Sequence, residues 1–334
     1  MLRGKMLRKS LDLRSWDAAQ RLVREWETEG VAETAIEVSK AVEAFMKDCT
    51  ARNLARGSIK LYRIVLQDGL VPWALRKHIH FVGQFDVDNL RAFRETWKLA
   101  PITANDRLKK LRAFFRFAIE SGWIEQNPAR SLKPAKVMPN PTLPFDEREM
   151  ARILAACDDY QDHLGRKGTA NGRRVKAFVL LLRYSGLRIG DAVALPVKSL
   201  HGERLFLRTE KTGTAVHAPL PRAVVDALDT FPHGDHFFWT GVGDLAGAKR
   251  AWDRRLKKVF LAAGVPDGHA HRLRDTFAVE LLEKGVPIEV VATLLGNTVA
   301  IVEKHYAPWV ASRQVALEAA VRQTWTPAKT ALQA

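Results

Sequence analysis

Hydrophobic residues recur every three or four positions through the N-terminal third of the chain, which is the spacing that gives an amphipathic helix one buried face. Residues 14–29 and 35–48 both follow this pattern. It predicts a small helical bundle over residues 34–131, preceded by an arm, residues 1–33, that contains one helix.

Start and stop signals divide the bundle further. Ser58, Asp86 and Thr103 each precede an apolar-periodic segment and carry an oxygen that can cap the first turn of a helix. Gly122 follows the longest of these segments, and glycine is common just beyond a helix end. We therefore expect three helices that begin at these polar residues.

A proline-rich stretch separates the bundle from the rest of the chain. Residues 132–145 contain four prolines and no periodic pattern, so they predict an extended linker. Asp146 and Glu149 then have the spacing of a capping box, ahead of another apolar-periodic segment. They predict the start of a second domain over residues 146–325, with residues 326–334 as a tail.

The second domain is expected to combine helices with one β-hairpin. Residues 204–208 alternate apolar and polar side chains, residues 210–213 favour a turn, and residues 215–220 return as a second strand. The predicted fold class is mainly α with a small β-sheet, in two domains: a helical bundle and an α+β domain.

Charge adds a prediction about the partner. The chain has 53 lysines and arginines against 37 aspartates and glutamates, a formal net charge of +16. This excess favours nucleic acid as the partner, with a solubility charge spread over the surface as the alternative. The basic residues of the predicted bundle form either a DNA-facing surface or an ordinary solvated face: Arg52, Arg56, Lys60, Lys109, Arg112 and Arg116.

Cysteine content and hydropathy indicate a cytoplasmic protein. Cys49 and Cys157 lie far apart, which gives neither a disulfide framework nor a metal-ligand cluster, and both are expected to be reduced. The longest apolar run, residues 177–182, is far shorter than a membrane span, and the start of the chain lacks the apolar segment of a signal peptide. We expect a nucleoid-associated protein without a membrane partner.

Two segments of the second domain contain residues suited to phosphate chemistry. Arg188 follows the glycine that ends a predicted helix, and Asp191 lies three residues further on the same face. An arginine can bind phosphate through two hydrogen bonds, but taken alone a structural Arg–Asp pair is the simpler explanation. Lys211, on the expected hairpin turn, taken alone is more simply a solvated lysine.

Two later segments add a basic pair and a tyrosine. His271 and Arg274 are three residues apart on one helix face, where they either hold phosphate oxygens or form a basic surface. Asn297 follows the glycine that is expected to end the next helix. Tyr306 ends the helix that follows Asn297, because Pro308 prevents its continuation. A tyrosine at a helix end can act as a nucleophile, although alone it is more simply a packing residue.

The order of these segments is more specific than any one of them. Five segments together resemble the tyrosine recombinases, also called phage integrases: Ser185–Asp191, Lys211, His271–Arg274, Leu295–Asn297 and Tyr306. The resemblance extends over residues 35–325, since the bundle and the linker are similar to the core-binding domain and hinge of that family. It implies that residues 146–325 form the catalytic domain.

The resemblance implies a site-specific DNA recombinase that needs no metal or other cofactor. Tyr306 would attack the scissile phosphate, form a 3′-phosphotyrosine and release a 5′-hydroxyl. Lys211 would protonate the leaving oxygen, and Asp191 would support Arg188 and its neighbours. Three residues would stabilise charge on the non-bridging oxygens: Arg188, His271 and Arg274.

One position departs from the family pattern. Asn297 stands where the family usually has histidine or tryptophan; its amide can donate a hydrogen bond to phosphate but carries no charge. Two alternatives to a recombinase stay open, and Asn297 favours only the second of them. One is a type IB topoisomerase-like nicking and closing enzyme, and the other is a DNA-binding or architectural protein whose catalytic set has decayed.

A C-terminal helix is expected over residues 311–322. In the family a helix at this place docks on a neighbouring protomer, which implies a homo-tetramer on paired sites in double-stranded DNA. The alternative is a helix that packs on its own domain.

Overall fold

The computed structural model describes residues 15–29, 36–138, 143–161, 167, 169–210, 212–306, 315, 318–319 and 321–322. The chain divides into two compact units, Met1–Pro139 and Asn140–Ala334. Each unit has a hydrophobic core of its own. In the described part of the chain, no helix combines the length and the apolar character needed to cross a bilayer.

The N-terminal unit is helical. Its elements in chain order are α1 (Trp16–Glu29), α2 (Val38–Ala51), α3 (Arg56–Val65), a π-helical turn (Leu66–Leu70), α4 (Val71–Arg76), a 3-10 turn (Val82–Gln84), α5 (Val87–Glu95) and α6 (Pro101–Glu120). Aromatic rings meet edge to face at its centre, with Phe114 lying 5.8 Å from Phe45 and 5.1 Å from Phe115 between ring centroids. The predicted helical character is confirmed.

One of the three predicted helix starts in this unit is confirmed. The Asp86 carboxylate accepts a hydrogen bond at 2.6 Å from the backbone N–H three residues on, and so caps α5. The predictions for Ser58 and Thr103 are wrong, because α3 begins at Arg56 and α6 begins at Pro101. Proline suits the first turn of α6, since its φ is already helical and an N–H there would have no helical partner.

The C-terminal unit mixes helices with a small sheet. Its elements in chain order are α7 (Glu147–Asp158), α8 (Ala170–Ser185), α9 (Ile189–Val193), a 3-10 turn (Val197–Ser199), β1 (Leu200–His201), β2 (Arg204–Arg208), β3 (Ala215–Pro219), α10 (Arg222–Leu228), α11 (Leu245–Ala262), α12 (Ala270–Glu283), α13 (Ile288–Leu295) and α14 (Val299–Tyr306). The predicted capping box at the start of α7 is confirmed, with Asp146 and Glu149 each accepting a hydrogen bond from the other's backbone N–H.

The strands form one antiparallel sheet in the order β1, β2, β3. Leu205 pairs with Ala218 and Leu207 with Val216, and all four side chains are buried on one face. The predicted hairpin is therefore confirmed. The sheet also includes β1, which is too short for its two residues to show an alternating pattern.

Polar contacts and a small apolar cluster fix α12, the helix that carries His271 and Arg274. The Thr276 hydroxyl accepts a hydrogen bond from the Phe145 N–H at 2.8 Å, and the buried Arg272 guanidinium binds the Glu149 carboxylate at 2.7 Å. Apolar residues of α12, α13 and α14 pack together: Ala278, Val279, Leu282, Val291, Ala292, Leu295, Val302 and Tyr306. This packing brings the end of α14 against α12.

Candidate active site

A sharp turn between α8 and α9 positions Arg188. Gly186 adopts φ +61°, a conformation that residues with a side chain disfavour. A Cβ at this position would lie 2.5 Å from a ring carbon of Phe277 and 2.9 Å from a methyl carbon of Leu295. The Ser185 hydroxyl secures the turn by accepting a hydrogen bond from the N–H two residues on, at 3.2 Å. The glycine therefore lets α12 and α13 pack closely against the turn that leads to Arg188.

Arg188 and Asn297 are in direct contact. Nη2 of Arg188 donates a hydrogen bond to Oδ1 of Asn297 at 2.6 Å. Gly296, at φ +57°, ends α13, and the Asn297 N–H then donates to the carbonyl of Ala292 at 2.9 Å. The end of α13 thus holds an acceptor that orients one edge of the Arg188 guanidinium.

Arg274 is the most buried charged residue of the site, with 2% of its surface exposed. Its Nη1 donates to the carbonyl of Gly186 at 2.6 Å, and its Nη2 donates to the carbonyl of Leu295 at 2.7 Å. Burial lowers the pKa of Arg274, and the positive charge of Arg188 lowers it further. The side chain therefore joins the end of α8 to the end of α13 and keeps its charge close to a second guanidinium.

Two donors of this arginine pair have no protein partner within the described part of the chain. They are Nη1 of Arg188 and Nε of Arg274, and both atoms are buried. A buried donor without an acceptor costs about 1–3 kcal/mol, and the two positive groups also repel each other. An anion with several oxygens would remove both costs, so the pair is suited to hold a phosphate group.

Tyr306 lies at the end of α14 with 5% of its surface exposed. Its hydroxyl donates a hydrogen bond to Oδ1 of Asp275 at 2.9 Å. Burial raises the pKa of Tyr306, and the negative charge of Asp275 raises it further, whereas Arg274 lowers it. The hydroxyl is thus neutral at physiological pH and is hydrogen-bonded to the side chain of Asp275.

His271 faces the same carboxylate from one turn earlier in α12. Its Nε2 lies 3.7 Å from Oδ1 of Asp275, and 59% of its side chain is exposed. Partial desolvation lowers the pKa of His271, and Asp275 opposes this effect. The imidazole therefore lies between the buried carboxylate and solvent.

The turn between β2 and β3 lies near α9. Oδ1 of Asp191 accepts a hydrogen bond from the Glu210 N–H at 2.8 Å. In the described part of the chain no hydrogen bond joins Asp191 to Arg188, and the role of Asp191 in supporting Arg188 and its neighbours stays a prediction. Lys211, the next residue after Glu210, lies outside the described residues, as does most of the predicted helix over residues 311–322.

The basic residues predicted for a DNA-facing surface fall into two groups. Arg112 is half-buried and hydrogen-bonds the carbonyls of Ala129 and Leu132 through Nε and Nη2, so it braces the segment after α6, and its placement on a DNA-facing surface stays a prediction. Arg52 is exposed and pairs with Asp48 at 3.0 Å. The remaining four are exposed like Arg52: Arg56, Lys60, Lys109 and Arg116.

Two site residues escaped the sequence analysis. Asp275 follows Arg274 directly and lies four residues after His271, so helical spacing alone could have placed it beside the histidine. Its contact with Tyr306, 31 residues away, carries no sequence signal. Glu210 contributes a backbone N–H, and no side-chain pattern marks such a role.

Comparison with known proteins places the chain in a family. The profile of the phage integrase family matches residues 144–308. The chain is 29% identical to a tyrosine recombinase XerD of Caulobacter vibrioides over 265 residues, which cover 74% of this chain and 84% of that protein. It is 25% identical to a tyrosine recombinase XerC of Roseiflexus sp. over 276 residues, which cover 77% and 85%.

Solved structures share the fold. A lambda integrase dimer bound to a COC′ core site has a TM-score of 0.65 at 17% identity, over 81% of this chain and 95% of that one. The Tn1549 transposon integrase in complex with a circular intermediate DNA has a TM-score of 0.59 at 16% identity, with the same two coverages. The family profile spans the whole arginine, histidine and tyrosine site described above, and the chain belongs to the tyrosine recombinase, or phage integrase, family.

Proposed function

We propose that this chain is a site-specific recombinase that cuts and rejoins double-stranded DNA through a 3′-phosphotyrosine at Tyr306. Family membership supports the reaction class. The observation that carries the assignment of residues is the pair Arg188 and Arg274. Nη1 of Arg188 and Nε of Arg274 are buried donor atoms without a partner among the described residues, and the charge of Arg274 lowers the pKa of Tyr306.

The arginine pair stabilises the transition state. Attack by the Tyr306 oxygen forms a bond to phosphorus and breaks the bond from phosphorus to O5′, while negative charge grows on the non-bridging oxygens. Charged hydrogen bonds from Arg188 and Arg274 stabilise this charge. Because Arg274 is already tied to two carbonyl groups, it needs little reorganisation when the charge develops.

Four other residues complete the mechanism. Asn297 orients Arg188 through its side-chain oxygen. His271, exposed beside the pair, donates a hydrogen bond to a phosphate oxygen. Lys211 protonates the leaving 5′-oxygen, and Asp191 holds the backbone just before it through Glu210. The covalent link conserves the energy of the phosphodiester, so rejoining needs no external energy source.

DNA contact and assembly extend the proposal. Residues 146–325 form the catalytic domain, and the bundle over residues 34–131 binds DNA through its basic residues: Arg52, Arg56, Lys60, Lys109, Arg112 and Arg116. Residues 311–322 dock on a neighbouring copy in a homo-tetramer. In support, a lambda integrase tetramer bound to a Holliday junction shares the fold with a TM-score of 0.63 at 17% identity.

A covalent adduct tests the proposal. The protein is incubated with a pool of randomised duplexes that each carry a nick near the cleavage position, and adducts are trapped in SDS and sequenced. Wild type is expected to form adducts on a shared sequence. Tyr306→Phe is expected to form none, whereas the matched Tyr184→Phe variant, at an exposed tyrosine, keeps them. An adduct that persists in Tyr306→Phe refutes the assignment.

The same assay separates the alternatives. Adducts on unrelated sequences, together with relaxation of a supercoiled plasmid, would indicate a nicking and closing enzyme instead of a recombinase. DNA binding without any adduct in wild type would indicate a DNA-binding protein with an inactive site.

A further inference from the structure

We propose that Asp275 is a catalytic residue that accepts the proton of the Tyr306 hydroxyl as this oxygen attacks phosphorus. The inference rests on the proposed function, since it concerns the same nucleophile. It assigns a base to the reaction at a position that the site motifs do not include.

The contact itself supports this role. A phenol has one proton, and that of Tyr306 is donated to Oδ1 of Asp275 at 2.9 Å. Asp275 is 6% exposed, so water has little access to compete for the hydrogen bond. Within the described residues, the Asp275 carboxylate is the hydrogen-bond acceptor of Tyr306. A general base must lie within hydrogen-bond distance of the proton that it removes, and Asp275 meets this condition.

The nucleophile needs a base. A tyrosine with an ordinary pKa near 10 is ionised in only about one molecule per thousand at pH 7. Burial raises the pKa of Tyr306 further, so even fewer molecules hold a phenolate. Attack by the neutral hydroxyl would leave a proton on an oxygen that becomes bonded to phosphorus, and a positioned base removes it during the attack.

Burial and the neighbouring charges both act on the pKa of Asp275. Burial raises the pKa of its carboxyl group, which makes the carboxylate a stronger proton acceptor than an exposed one. His271 and Arg274 on α12, and His269 just before it, oppose this rise in the pKa, and the hydrogen bond from Tyr306 on α14 opposes it as well. His271 is 3.7 Å away, beyond hydrogen-bond distance, and is exposed, so it offers the next position for a proton that leaves towards solvent.

The step balances in both directions. During cleavage the proton moves from the Tyr306 oxygen to Oδ1 of Asp275, the bond from phosphorus to Tyr306 forms, the bond to O5′ breaks, and O5′ receives a proton from Lys211. During rejoining the 5′-hydroxyl gives its proton to the neutral Lys211 amine as its oxygen bonds to phosphorus, the bond from phosphorus to Tyr306 breaks, and Asp275 returns its proton to the departing tyrosine oxygen. No oxidant, reductant or co-reactant takes part.

Asp275→Asn tests the role, with Asp229→Asn at an exposed aspartate as the matched control. The substrates are the duplexes recovered as adducts, with a natural phosphate and with a 5′-bridging sulfur, which leaves without protonation. We expect Asp275→Asn to slow single-turnover adduct formation about 100-fold or more on both substrates, the range typical of general-base catalysis. A Lys211→Ala variant is expected to form the adduct slowly on the natural substrate and at the wild-type rate on the sulfur substrate, because the sulfur leaving group needs no proton.

The pH profile distinguishes a base from a structural residue. In wild type the rate should level off above the pKa of Asp275. In Asp275→Asn it should rise about tenfold per pH unit through the neutral range, because the attacking species is then the pre-ionised phenolate. Added formate should restore part of the activity of Asp275→Ala, because it supplies a carboxylate where the side chain was removed.

Stability gives the folding control. Since burial raises the pKa of Asp275, the folded protein binds a proton at this carboxylate more tightly than the unfolded protein does. This difference stabilises the fold at low pH, and the stabilisation is lost as pH rises from about 4 through the pKa of Asp275 in the folded protein. At pH 7 asparagine removes the cost of burying a charged carboxylate, so Asp275→Asn is expected to have a melting temperature no lower than that of wild type.

Each outcome bears on one of the two proposals. An adduct rate in Asp275→Asn within about twofold of wild type, or faster than wild type, overturns the role of Asp275 alone. An unchanged pH profile combined with no formate rescue also overturns it, because the residue is then structural. Absence of the adduct in wild type, or its persistence in Tyr306→Phe, overturns the proposed function and this inference with it.

Discussion

At the scale of the residue, the reactivity of the site depends on what each side chain is bonded to. Tyr306 is buried and neutral, so by itself it is a poor nucleophile. Asp275 accepts its proton, and Arg188 and Arg274 keep two donors free of partners among the described residues. The unusual residue is Asn297, which here serves as a hydrogen-bond acceptor for Arg188.

Asn297→His is expected to retain or raise cleavage. A neutral imidazole has an acceptor nitrogen for Nη2 of Arg188 and, when protonated, adds a charge that asparagine lacks. Asn297→Ala removes the acceptor and is expected to slow adduct formation about tenfold or more, the effect of leaving a buried charged donor unpaired. Single-turnover adduct formation measures both variants, and complete loss of cleavage in Asn297→His would contradict this prediction.

At the scale of the element, the ends of helices build the site. α8 ends at Gly186 and α13 ends at Gly296, both in the left-handed region. Arg274 binds the carbonyl of Gly186 and that of Leu295, so one side chain contacts both helix ends. Helix ends leave carbonyl groups without helical partners, which is why a buried arginine can be satisfied there.

Gly186→Ala is expected to destabilise the fold and to abolish cleavage. The left-handed conformation alone costs a non-glycine residue about 1–2 kcal/mol, and the new Cβ also collides with Phe277 and Leu295. Gly202→Ala is the matched control, because Gly202 has the same φ of +61° but a Cβ added there would meet no atom within 4 Å. Denaturant unfolding should therefore show a larger loss in the free energy of unfolding for Gly186→Ala than for Gly202→Ala. Equal losses in both variants would show that the neighbouring side chains move aside without cost.

At the scale of the whole molecule, the positive net charge is the property that bears on DNA binding. The net charge is +16, and five of the six predicted DNA-facing residues are exposed on the N-terminal unit. Nucleic-acid affinity gained through such residues comes from release of counterions, so it falls as salt rises.

DNA binding is expected to weaken steeply with salt. Each phosphate neutralised by a basic residue adds about 0.9 to the slope of log affinity against log salt. The double variant Arg56→Gln with Lys60→Gln should lower this slope by about 1–2, measured by fluorescence anisotropy on a duplex recovered from the adduct pool. Arg91→Gln, at an exposed arginine paired with Asp88, is the control and should leave the slope unchanged. A salt-independent affinity in wild type would contradict a phosphate-contacting surface.

The sequence by itself determined the helical bundle, the hairpin, the proline-rich segment at the division into units, and the family. These features are local or ordered along the chain: periodicity, capping residues and short motifs need no knowledge of distant contacts. Only the tertiary structure decided which partners the polar side chains take. Arg112 binds carbonyls of its own unit, Asp191 accepts a hydrogen bond from the Glu210 N–H, and Asp275 accepts one from the Tyr306 hydroxyl. These partners lie 17 to 31 residues apart, and the packing of helix ends, which no local pattern encodes, brings them within hydrogen-bond distance.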